Sequence, residues 1–89
     1  MNLLNFIGAF HVEVSRLLDN VESAGEAGGY LEWASGKVGE TEVFFLWFPK
    51  TRRLVYAIQG RQRNFGEVEV KGVLEAIAYV ERLVKQLRR

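Results

Sequence analysis

The sequence predicts an α+β domain: a helix, a three- to four-stranded antiparallel sheet and a second helix, with both helices on one face of the sheet. Apolar residues repeat at helical spacing near both ends of the chain. The middle of the chain is rich in Val, Phe, Trp and Tyr, which favour strands. Eighty-nine residues suffice for one hydrophobic core. We therefore expect a single domain spanning residues 1–89.

The first helix is predicted from about residue 3 to residue 24. Its apolar residues advance by alternating steps of four and three, which places them on one face of a helix. Gly25 lies where a left-handed helix stop belongs, and residues 26–29 then form a flexible exit. The apolar stripe consists of Leu3, Ile7, Phe10, Val14, Leu17 and Val21.

Three strands are predicted in the middle of the chain, because short β-branched and aromatic runs alternate there with turn residues. A glycine-flanked basic segment at residues 60–66 follows them and is expected to form a surface loop. The three strands cover residues 30–35, 41–48 and 53–60, and the turns between them cover residues 36–40 and 49–52.

Residues 66–71 fit two structures. Their alternating pattern is typical of a strand, whereas Asn64 with Glu67 matches the capping box of a helix that would begin there. The flanking glycines and the valines favour a short edge strand. From Val73 the pattern is helical to the basic end of the chain, with a stripe of Val73, Ile77, Val80, Val84 and Leu87.

The charge is divided unevenly between the two halves of the chain. The net charge is +1, yet residues 1–48 hold two basic and seven acidic side chains, whereas residues 49–89 hold ten basic and four acidic ones. Basic character therefore belongs to the second half. The preference for Glu and Arg is a bias of some heat-adapted proteins and indicates a thermophilic source.

Composition also argues against several classes of site. The chain has no cysteine, which excludes disulfides and thiolate chemistry and fits a cytoplasmic location. The apolar run at residues 3–10 is short and lacks a basic leader, so we expect neither a signal peptide nor a membrane span. His11 is the only histidine and has no partner for a metal site or a catalytic triad. We therefore expect no catalytic residue, metal or cofactor.

The hairpin between the second and third predicted strands indicates which rings are buried. With an even number of loop residues, Phe48 lies opposite Arg53 and Phe44 opposite Ala57. The other face of this hairpin is bulkier and uncharged, so it is assigned to the core. Two helices can cover one face of the sheet, which leaves the Phe44 face open. The core face carries Val43, Phe45, Trp47, Leu54, Tyr56 and Ile58.

The register of the first predicted strand is open between two alternatives. One places Leu31 and Trp33 on the same face as Phe44, and the other places Tyr30 and Ala34 there. The first is favoured.

Aromatic and basic residues are interleaved in one segment. Eight of the eleven aromatic residues lie within residues 30–65, together with six Lys and Arg residues. Rings stack on unpaired bases and guanidinium groups hold phosphates, so the pattern predicts binding of single-stranded RNA or DNA. The basic turn and the basic loop are expected to meet at neighbouring strand ends. The predicted nucleic-acid-binding residues are Trp33, Phe44, Phe48, Lys50, Arg52, Arg53, Arg61, Arg63 and Phe65.

The layout of the chain resembles that of the archaeal ThermoDBP-related proteins. The resemblance is carried by the acidic first helix, the strand at residues 44–48, the Arg52/Arg53 turn and the loop at residues 61–65. It implies a helix-plus-antiparallel-sheet domain that binds single-stranded nucleic acid in an aromatic and basic cleft, often as a dimer. The order of elements also resembles the double-stranded RNA-binding domain. However, residues 70–75 hold one Lys where that family has a cluster.

Two other functions compete with nucleic-acid binding. The open aromatic face also suits a protein-interaction or homo-oligomeric assembly module. The terminal helix, widened by Ala76 and Leu83, is a second candidate for contact between the subunits of a homodimer. A minor alternative is a metal-dependent nuclease, because Glu69-Val70-Lys71 matches a Glu-x-Lys element; Glu42 would have to supply the second carboxylate.

Overall fold

The computed structural model describes residues 8–88. Within them a short helix, α1 (Ala9–Leu17), precedes five strands, and a longer helix, α2 (Val73–Leu87), follows them. The strands pair antiparallel with their sequence neighbours, so the sheet order is β1-β2-β3-β4-β5. The strands are β1 (Asn20–Ala27), β2 (Leu31–Val38), β3 (Thr41–Phe48), β4 (Arg53–Gln59) and β5 (Arg63–Glu69).

The α+β class is confirmed, but the sheet has five strands rather than three or four. The additional strand is β1, which occupies residues predicted to continue the first helix. The helix ends early because Leu18 adopts an extended conformation, and the Asp19 N–H then donates to the Lys37 carbonyl at 2.8 Å. Gly25 is therefore not a helix stop; it lies in β1 opposite Trp33. Leu3 and Ile7 of the predicted stripe lie outside the described residues.

The predicted basic loop is also shorter than expected. Strand β5 begins at Arg63, so only residues 60–62 remain between β4 and β5. The strand prediction for residues 66–71 is confirmed as far as Glu69, and the prediction that α2 begins at Val73 is correct.

The register of the central hairpin is as predicted. Phe48 pairs with Arg53 and Phe44 with Ala57. In the neighbouring pair of strands, Ser35 lies opposite Phe44, which puts Trp33 on the Phe44 face as the favoured alternative required. These registers determine which residues of β2, β3 and β4 share a face, and therefore on which side of the sheet each ring lies.

The core lies between one face of the sheet and the two helices. Trp47 is 2 % exposed and stacks on Phe10 of α1, with ring centroids 6.1 Å apart. From α2, Ala76 and Val80 are fully buried in the same cluster. Both helices therefore cover the face predicted to be buried, which includes Val43, Phe45, Trp47, Leu54 and Ile58.

The apolar stripe of α2 is used inside the molecule. Its buried residues face the core, and Leu83 and Leu87 pack against the same cluster. Ala76 and Leu83, which suggested a surface for self-association, therefore have intramolecular partners. Neither described helix is long and apolar enough to cross a membrane.

A hydrogen bond and an ion pair made by Asp19 join one end of the sheet to the end of α2. Asp19 accepts a hydrogen bond from the Gly39 N–H at 2.6 Å and contacts Arg88 at 3.0 Å. The Gly39 hydrogen bond, followed by that of Arg88, lowers the pKa of Asp19 below its ordinary value of 3.8. Ionised Asp19 therefore stabilises the fold at any pH above the pKa that this carboxyl has in the unfolded chain. The stabilisation is lost as pH falls through the lower pKa of Asp19 in the folded state.

Candidate functional site: the open sheet face

The sheet face opposite the helices carries the predicted aromatic residues. We call it the open face. Because side chains alternate along each strand, the pairing registers determine its members. From β2 to β5 it consists of Leu31, Trp33, Ser35, Lys37, Glu42, Phe44, Leu46, Phe48, Arg53, Val55, Ala57, Gln59, Arg63, Phe65, Glu67 and Glu69.

Two exposed rings flank a small residue in the middle of the open face. Phe44 of β3 and Phe65 of β5 both lie opposite Ala57 of β4. Phe44 is 41 % exposed and Phe65 is 64 % exposed. Since neighbouring strands are about 4.8 Å apart, the two backbone positions are separated by about 10 Å. A shallow groove runs between the two rings above Ala57.

The other two predicted stacking rings are less accessible. Trp33 is half-buried, and its indole N–H donates to the Ser23 hydroxyl at 2.9 Å. The ring lies over Gly25, where an added Cβ would come within 2.9 Å of it. Trp33 is thus held against β1. Phe48, beside Arg53, is also half-buried.

Charged residues lie at both ends of the open face, and both ends carry both signs. At one end, Lys37 lies opposite Glu42, and Arg63 lies two strands beyond Glu42. At the other end, Arg53 forms an ion pair with Glu67 and lies opposite Glu69. From β2 to β5, three basic and three acidic side chains therefore share this face, so the charges balance across these four strands.

The basic turn and the basic loop do not meet. Arg53 begins β4, whereas Arg63 lies opposite Gln59 at the end of that strand. The seven residues of β4 separate the two arginines by about 20 Å. The expectation that neighbouring strand ends bring them together is wrong, because consecutive turns of an antiparallel meander lie at opposite ends of the sheet.

Three of the predicted basic residues lie away from the open face. Lys50 is in the β3–β4 turn, with its Nζ 4.4 Å from the centre of the Tyr30 ring. Arg52 lines a cavity on the helix side of the sheet. Arg61 lines a depression beside Leu83 and Leu87 of α2. The structure therefore groups six of the nine predicted residues: Trp33, Phe44, Phe48, Arg53, Arg63 and Phe65.

The residues proposed for a nuclease are not brought together either. Glu42 lies opposite Gln59, whereas Glu69 lies opposite Arg53 at the other end of β4. Glu42 therefore cannot share a metal with Glu69. Within residues 8–88, no three His, Cys, Asp or Glu side chains converge on a possible metal position.

A buried carboxylate on the helix side was missed from the sequence. Glu32 is 4 % exposed and is the one charged residue among those described that is buried. Its Oε1 accepts the backbone N–H of His11 at 3.0 Å and lies 2.8 Å from the Nδ1 of the same residue. The register that places Trp33 on the Phe44 face also turns Glu32 toward the core. Since a buried carboxylate needs a hydrogen-bond partner, this register could have indicated the contact.

Glu32→Ala is expected to destabilise the fold by about 1–3 kcal/mol, because it leaves the first turn of α1 uncapped and His11 without its acceptor. Glu32→Gln, which retains one oxygen acceptor, should cost less. Urea denaturation of both variants measures the difference. Glu40→Ala, at an exposed turn position, is the control. An unchanged unfolding midpoint for Glu32→Ala would show that the contact contributes nothing.

Comparison with protein-family models, curated proteins and solved structures gave no match to this chain. The resemblance to the ThermoDBP-related proteins therefore remains a prediction.

Proposed function

We propose that this protein is a cytoplasmic homo-oligomeric assembly module, in which the open face packs against the open face of a second copy. The observation that carries the proposal is a continuous apolar surface that neither described helix covers. It runs across four strands and consists of Leu31, Trp33, Phe44, Leu46, Phe48, Val55, Ala57 and Phe65. A contiguous surface of this kind is typical of an interface.

The charges on the open face favour a second copy as the occupant. Both charged ends contain basic and acidic side chains, so either end can meet itself or the other end with opposite charges in contact. Apolar residues in the centre with charged residues around them are the usual anatomy of a protein interface. A nucleic-acid platform instead needs an excess of positive charge, which this face does not have.

The proposal predicts that charge inserted into the centre of the open face separates the subunits. Phe44→Glu together with Phe65→Glu should convert the oligomer to a monomer, because two carboxylates would be buried without partners. Both rings are substantially exposed in the single chain, so the fold should survive. Sedimentation velocity at about 100 μM, far above the Kd of a stable interface, measures the change in mass.

The matched control is Leu74→Glu. Leu74 is 68 % exposed, as much as Phe65, but lies on α2, away from the open face. It should leave the mass of the oligomer unchanged. A monomeric wild-type protein, or equal dissociation by Leu74→Glu, would contradict assembly through the open face.

A second candidate function on the same face is non-catalytic binding of single-stranded RNA or DNA. The specific observation is the pair of exposed rings, Phe44 and Phe65, with Arg63 two residues before Phe65 on the same face of β5. Exposed rings beside a guanidinium group are suited to stacked bases and a nearby phosphate. This candidate uses the rings as ligand contacts rather than as a subunit interface.

Salt dependence separates the two candidates. If nucleic acid is the ligand of the open face, Arg63→Ala should reduce the salt slope of binding by about one, because one phosphate contact and its counterion release are lost, whereas Arg61→Ala, away from that face, should leave the slope unchanged. Fluorescence anisotropy with labelled single-stranded and duplex oligonucleotides at two salt concentrations provides the measurement. An apolar subunit interface does not weaken as salt rises. Stable oligomers that bind no oligonucleotide would therefore exclude this second candidate.

A further inference from the structure

A separate cavity lies on the helix side of the sheet, where β3 joins β4 and both described helices begin. Its volume is about 340 Å³, within the roughly 300–1,000 Å³ of small-molecule sites. Trp47, Pro49 and Val73 contribute apolar surface to it. None of these residues belongs to the open face, so the cavity is independent of the assembly surface.

One wall of the cavity is a hydrogen-bond acceptor. The Glu32 side chain is 5 % exposed and lines the cavity, and both of its hydrogen bonds within residues 8–88 use Oε1. Glu32 Oε2 has no hydrogen-bond partner among the described residues. Glu26 lies on the same cavity, with its Oε2 bonded to the Gly29 N–H.

The cavity also has a cationic side, which the strand pairing places across β3 from Glu32. Arg52 and Lys71 line it, beside the first residues of α2. The N-cap residue, Gly72, provides no side-chain cap, and the first hydrogen bond of the helix runs from the Ala76 N–H to the Gly72 carbonyl at 3.0 Å. The preceding N–H groups of α2 are therefore available to an anion, together with the two cations.

The backbone of Arg52 is itself unusual. Among the described residues it is the one non-glycine residue with positive φ, at 56°. L residues rarely adopt this left-handed conformation, which glycine adopts without steric cost. Its carbonyl accepts the Val70 N–H at 2.9 Å, which joins the turn to the segment before α2. A strained residue at a cavity is a reason to look for a function of its side chain.

We propose that this cavity binds a small zwitterion of the α-amino-acid class with an apolar side chain. The carboxylate meets Arg52, Lys71 and the first turn of α2, the ammonium group meets Glu32, and the side chain contacts the Trp47 wall. Opposite charges on two sides of the cavity favour a ligand that carries both charges over a simple anion or amine.

The test uses L-phenylalanine and two matched half-ligands. 3-Phenylpropanoate lacks the ammonium group, and 2-phenylethylamine lacks the carboxylate. In NMR titrations of the full chain, L-phenylalanine should shift the amide signals of Gly72 and Val73 and bind about tenfold more tightly than either half-ligand. Equal binding of inorganic phosphate, or no shift with any probe at millimolar concentration, overturns the proposal.

Arg52→Gly separates a ligand contact from a structural role. It should weaken L-phenylalanine binding about tenfold while raising the melting temperature, because glycine adopts the left-handed conformation without strain. Lys71→Gln should weaken binding without that rise, and Lys85→Gln, on the exposed side of α2, should change neither property. Unchanged affinity in Arg52→Gly overturns the proposal. Binding should persist in the Phe44→Glu/Phe65→Glu variant, whatever its oligomeric state.

Discussion

Trp47→Ala is expected to lower the free energy of unfolding by about 3–5 kcal/mol, whereas Phe48→Ala, at the next position, should leave folding nearly intact. Trp47 is 2 % exposed, and its ring stacks on Phe10 between the sheet and α1. Alanine there removes the largest side chain of the core and leaves a cavity. Phe48 points to the other side of β3, where no described helix covers it.

Thermal and urea melts of the two variants test this difference in stability, and a functional measurement on Phe48→Ala adds to it. If the open face is a subunit interface, Phe48→Ala should weaken the oligomer without unfolding the chain. If Phe48 instead stacks on bases, Phe48→Ala should weaken the binding of single-stranded nucleic acid by ~1–3 kcal/mol. An unfolded Phe48→Ala protein with a tolerated Trp47→Ala would mean that the assignment of the two faces is reversed.

The central hairpin could be predicted because a local constraint determines it. When the loop between two strands has an even number of residues, only one set of residues can share each face of the hairpin. This constraint places Phe44 and Phe48 on one face and Phe45 and Trp47 on the other. The assignment of Trp33 to the open face followed from the favoured register of the preceding hairpin, between β2 and β3.

Strand β1 could not be predicted by the same means. Seven of its eight residues are exposed, so neither face requires apolar side chains and no alternation marks the strand. Leu17 and Val21 also continue the helical spacing of α1 by coincidence. What makes β1 a strand is its pairing with β2 in a hairpin, an interstrand contact that the propensity of residues 20–27 does not encode.

The prediction that the basic residues form one group was wrong because of the topology of the sheet. Their sequence positions placed Arg53 and Arg63 ten residues apart, but the strand between them carries the chain from one end of the sheet to the other. Arg52 and Arg53 show the same effect on a smaller scale. They are adjacent in sequence, yet Arg52 lines the cavity on the helix side and Arg53 lies on the open face.

Gly36→Ala is expected to destabilise the protein by about 3 kcal/mol or more, because the added methyl group meets backbone that cannot move aside. A Cβ at Gly36 would lie 1.9 Å from the carbonyl oxygen of Asn20 and 3.0 Å from the Cα of Val21. Those atoms belong to β1, at the point where its register with β2 shifts. The clash should therefore separate β1 from the sheet.

Gly60→Ala is the matched control, since its Cβ would approach only the Thr41 side chain, at 3.3 Å. That side chain can shift, so the change in stability should stay below about 1 kcal/mol. Hydrogen exchange adds the spatial test: Gly36→Ala should remove protection from the β1 amides while those of β3 and β4 retain it. If Gly36→Ala and Gly60→Ala unfold at the same denaturant concentration with β1 equally protected, the close approach of β1 to Gly36 is wrong.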